Sequence, residues 1–85
     1  LKAKRSVVRS VVERTRARFA VAVAEVGAND DHQRAVIGVS AVGNDGAHVN
    51  GVLDKVRDAI ELQILGEAEV VAAHLEVTSV SFEHL

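Results

Sequence analysis

The hydrophobic period changes at residue 19, and no other feature restricts the fold as much. Over residues 2–18, Val7, Val8, Val11, Val12 and Thr15 fall within an arc of about 140° when residues are spaced 100° apart. Lys2, Arg5, Arg9, Glu13 and Arg16 gather on the opposite side, which predicts an amphipathic helix. From residue 19 the repeat becomes two. Phe19, Val21, Val23 and Glu25 point one way, and Ala20, Ala22, Ala24 and Val26 the other. The chain must therefore mix helix and strand.

The same arithmetic carries to the C-terminus. GANDDHQ (27–33) is a polar turn, and RAVIGVSAV (34–42) a second strand close enough to pair as an antiparallel hairpin. GNDG (43–46) breaks that strand, with Asn44 or Asp45 placed to cap a helix over 47–65. Val49, Val52, Leu53, Val56, Ala59, Ile60, Gln63 and Ile64 share one face of this helix, and Gly66 follows its end. Residues 68–82 alternate again and predict a long third strand. The order α-β-β-α-β in 85 residues makes a single α+β domain. One further strand before the first helix would complete the ferredoxin-like arrangement, an antiparallel sheet with two helices on one face. The expectation is that fold with its first strand missing from the chain, through omission or disorder of an N-terminal segment in preference to supply by another chain.

Composition narrows the chemistry. No cysteine is present, which removes disulfides, thiolate metal sites and cysteine nucleophiles. With no Trp or Tyr and only Phe19 and Phe82, aromatic platforms for stacking nucleobases are nearly absent. No apolar run reaches the ~18 residues of a membrane helix. A cytoplasmic protein without membrane contact is expected. The net charge of −2 conceals a division: residues 1–18 hold seven basic side chains against one acid, whereas residues 19–85 hold three against eleven. A basic helix on an acidic body implies an anionic partner or electrostatic pairing with another copy of the chain.

LKAKRSVVRSVVERTRARFAVAVAEV (1–26) resembles the start of the bacterial YlxP-like family, small domains of uncharacterised function. QRAVIGVSAVGNDGAHVNGVLDKV (33–56) is similar to that family's second hairpin strand, turn and second helix. The resemblance implies a ferredoxin-like sheet and, through the company such proteins keep with translation and ribosome-maturation factors, a link to RNA or the ribosome. This sequence departs from the family twice. The family's usual first strand is missing, and His32 stands where the family's loop carries a Trp, so a role attached to that aromatic residue does not transfer.

Lys2, Lys4, Arg5, Arg9, Arg16 and Arg18 are the candidates for contacting successive phosphates of RNA. The same helix also suits a solvated surface. Asp30, Asp31 and His32 offer hard-ligand or acid–base side chains on a loop, but neighbours in sequence rarely converge on one ion, and a polar turn accounts for them. His48, His74 and His84 have no zinc spacing. GVSAVGNDG lacks a phosphate-loop pattern, and no serine sits in a nucleophile elbow. Neither catalysis nor a metal or cofactor is expected. Both faces of the hairpin are apolar, however. Ala20, Ala22, Ala24, Val26, Val36 and Val42 form the second face, which predicts a homodimer or larger homo-oligomer packed through it or by strand exchange. Two functions follow: a non-catalytic accessory protein that touches RNA or the ribosome through its first helix, or an oligomeric protein-interaction module that binds no nucleic acid.

Overall fold

The computed structural model describes residues 2–66, 73–76 and 78. Four elements are formed: α1 (Lys2–Arg18), β1 (Ala22–Gly27), β2 (Val36–Ser40) and α2 (Gly46–Gln63). The fold is α+β, two helices with a two-stranded antiparallel sheet. The predicted third strand over 68–82 falls largely outside the described residues; those within it, 73–76 and 78, have no regular structure.

Helix α1 has the predicted bounds. Strand β1, in contrast, starts three residues later than its alternation does. The amide of Phe19 still donates to the Thr15 carbonyl (2.9 Å), closing one more helical turn, and Val21 N donates to Phe19 O (2.9 Å) across a bend. The backbone of 19–21 is thus spent on leaving the helix. Ala20, expected on the second sheet face, lies in that bend and not in the strand.

In the hairpin, Ala22 opposes Ser40, Val23 opposes Val39, Ala24 opposes Gly38 and Glu25 opposes Ile37. The register then slips, so that Gly27 faces Val36, and Val26 is the additional residue of a bulge. The inner face carries Val23, Glu25, Ile37 and Val39. Val23 is buried, with α1 packed on β1. Ala22, Ala24, Val26 and Val36 are exposed, as the period-two reading requires. Val42 is a correction: β2 ends at Ser40, and Val42 is 97% exposed in the loop that follows.

Helix α2 begins where Asp45, in extended conformation, accepts a hydrogen bond from Ala47 N (2.9 Å). That selects Asp45 over Asn44 as the cap. The helix ends at Gln63, two residues short of the expected end, and Gly66 takes φ +85°, the left-handed conformation glycine adopts without steric penalty. Val56 and Ile64 from α2 join Val11 and Val23 as the buried apolar side chains among the described residues. Gln63 Nε2 donates to Ser10 Oγ (3.0 Å), tying the end of α2 to the middle of α1.

Candidate anion-binding surface

The cations of α1 divide into three groups according to the side of the helix they occupy. Val11 and Thr15 mark the buried centre of the helix. On a helical projection Lys4 lies at that centre, Arg5, Arg9 and Arg16 lie together within about 40° on one flank, and Arg14 and Arg18 lie within about 40° on the other.

Lys4 is an internal group, which corrects its assignment to an anion-contact surface. Its ammonium donates to Ala28 O (2.7 Å) and Asp31 O (2.5 Å) in the loop after β1. It also stands 3.3 Å from Glu25 Oε2, with side-chain exposures of 13% for Lys4 and 23% for Glu25. The short hydrogen bonds go to the loop carbonyls. Glu25 receives the charge without an aligned proton, and its Oε2 is buried with no hydrogen bond. This pairing had a signal in the sequence. Alternation places Glu25 on the inner sheet face, and a carboxylate there needs a cation. Lys4 precedes Val7 and Val8 by three and four residues, on the face that covers the sheet.

The loop held by Lys4 contains the acidic cluster. Asp31 N donates to Ala28 O (3.0 Å), closing a tight turn, and Ala28 takes φ +56°. The Asp31 carboxylate accepts from Gln33 N (2.8 Å). Asp31 therefore serves the turn, while Asp30 and His32 face solvent. No group of three or more His, Cys, Asp or Glu side chains is placed to hold a metal among the described residues.

Arg5, Arg9 and Arg16 are exposed. Among the described residues none is in an ion pair; the pairs formed are Lys4–Glu25, Arg57–Glu61 and His74–Glu76. Arg16 donates to Val23 O (2.9 Å), which anchors one end of the strip against β1. Arg5 and Arg9, with Ser6 and Ser10 beside them, line an open depression along α1, with Glu13 and Arg14 at its far end. The side chain of Lys2 lies outside the described residues. Arg18, also a candidate for this strip, belongs to the opposite flank. Its guanidinium lies over the ring of Phe19, 5.1 Å from the centroid. Arg14 did not stand out in the sequence; the side of α1 taken by α2 is what gives it a neighbourhood.

A family model described as Protein of unknown function (DUF503) matches residues 1–75. The chain belongs to this family. No curated protein and no solved structure matches it. The DUF503 assignment establishes an uncharacterised small domain and leaves activity to be argued from the surface. Among the described residues, no helix is long and apolar enough to cross a membrane.

Proposed function

We propose that this DUF503 protein is a non-catalytic cytoplasmic accessory protein that contacts RNA, free or in the ribosome, through the Arg5–Arg9–Arg16 strip of α1. On this reading it is YlxP-like and its α+β hairpin and helices are part of a ferredoxin-like domain. The observation that carries the proposal is the strip itself: Arg5 and Arg9 exposed on one flank of α1, with Arg16 beside them tied to Val23 O, and none of the three paired with a carboxylate among the described residues. Such a row suits phosphates spaced along a backbone, and it gives affinity without reading bases.

The test is RNA binding by the full chain as a function of salt, beside Arg5→Glu/Arg9→Glu. Arg16 stays intact because its bond to Val23 O supports the fold. The wild-type chain binds with a steep salt dependence. The variant keeps its circular dichroism spectrum, binds more weakly, and its salt slope is shallower by roughly 1.4–1.8 for two lost contacts. Absence of binding at low salt overturns the proposal.

A specific observation supports a second reading. Val26 and Val36 are 63% and 44% exposed beside Ala22 and Ala24, an apolar sheet face that suits self-association. On that reading the chain is an oligomeric interaction module.

A further inference from the structure

The flank of α1 that faces α2 has a chemistry unlike that of the RNA strip. Arg14, Thr15, Arg18 and Phe19 from the end of α1 meet Ala59, Leu62 and Gln63 of α2 around a groove of about 290 Å³. Its apolar part is Phe19, Ala59 and Leu62, and Leu62 is 72% exposed although it lies in the last turn of α2. Its polar part is two like charges one helical turn apart, which repel each other. Among the described residues neither Arg14 nor Arg18 has a carboxylate within ion-pair distance. Gln63 is already committed to Ser10.

We infer that this groove docks an acidic, leucine-rich peptide segment of a partner protein. Charge complementarity gives the sign: an anionic occupant offsets the Arg14–Arg18 repulsion. The apolar part then separates peptide from nucleic acid. A phosphate backbone leaves Leu62 uncovered, and the Arg18 guanidinium over Phe19 occupies the ring face that a base would stack on. A segment with carboxylates next to leucines satisfies both parts. The volume is at the lower limit of ligand clefts, roughly 300 Å³, which is room for one or two aliphatic side chains and too little for a nucleotide cofactor. Arg14 borders both this groove and the depression beside Arg5 and Arg9, whereas Arg18, Phe19 and Leu62 line this groove and not that depression, so the variants below tell the two sites apart.

The experiment is fluorescence anisotropy with the full chain and a labelled synthetic peptide of alternating leucine and glutamate blocks. The control peptide has lysine in place of every glutamate. The acidic peptide binds and the lysine peptide does not. Arg14→Glu/Arg18→Glu and, separately, Leu62→Asp each weaken binding at least tenfold with circular dichroism unchanged, as all three side chains are exposed. Arg5→Glu/Arg9→Glu binds the peptide as wild type does. Equal loss in that last variant means unspecific attraction to a basic helix and overturns the inference. So does unaltered binding in Leu62→Asp, displacement of the peptide by an RNA oligonucleotide at equal concentration, or no binding at all.

Discussion

Lys4 shows how a single charge is reassigned by its surroundings. By composition it is one of seven cations in a basic helix. In the structure it joins α1, the inner face of β1 and the loop after β1 at a single ammonium. Its removal leaves loop carbonyls without a donor and Glu25 on a half-buried face without a counter-charge. Lys4→Met is expected to lower the unfolding free energy by about 1–3 kcal/mol, the range for hydrogen bonds to a charged group in a partly buried setting. Glu25→Gln costs less, because the ammonium keeps its carbonyls, and a double-mutant cycle in urea gives a coupling below the full cost of Lys4→Met. Equal stability of Lys4→Met and wild type would show that the clamp contributes nothing. A charge count weighs Lys4 as it weighs Arg5; helical phase relative to Val7, Val8 and Val11 is what distinguishes them.

The elements follow their local signals closely, and they depart from them at the ends. Helix α1 and the apolar face of α2 are where the 100° repeat puts them. The start of α2 rests on one side chain: Asp45 accepts from Ala47 N, and the sequence allowed Asn44 the same role. Asp45→Ala is expected to cost about 1 kcal/mol of stability in denaturant unfolding, with Asp45→Asn within a few tenths of wild type. A cost for Asn44→Ala equal to that for Asp45→Ala would move the cap to Asn44. The strands are shorter than their alternation because period two is a property of side chains, whereas a strand also needs ladder partners. Phe19 N is used by the last turn of α1, and the bulge at Val26 together with the turn at Ala28 closes the other end of β1.

At the scale of the whole molecule, the apolar core among the described residues is small: Val11, Val23, Val56 and Ile64 are buried, while Val26, Val36, Leu62 and Leu65 are exposed. Small domains bury a lesser share of their apolar surface, and association recovers part of it. If the outer sheet face self-associates, Val26→Lys/Val36→Lys shifts the full chain to lower mass in sedimentation at micromolar concentration without loss of helix signal. An unchanged mass removes that face from any oligomer. The sequence by itself determined the fold class, the bounds of α1, the pairing of the hairpin, the two sheet faces and the concentration of positive charge in the first helix. Each of these is local: it follows from periodicity, from turn residues, or from charges close together in the chain. Only the tertiary structure decided that Lys4 faces inward to Glu25 and the Ala28–Asp31 loop, that Arg16 is tied to Val23 of β1, and that Arg14 and Arg18 meet Leu62 across a groove. These are contacts between elements far apart in sequence, and helical phase gives the direction a side chain takes without saying which element it meets there.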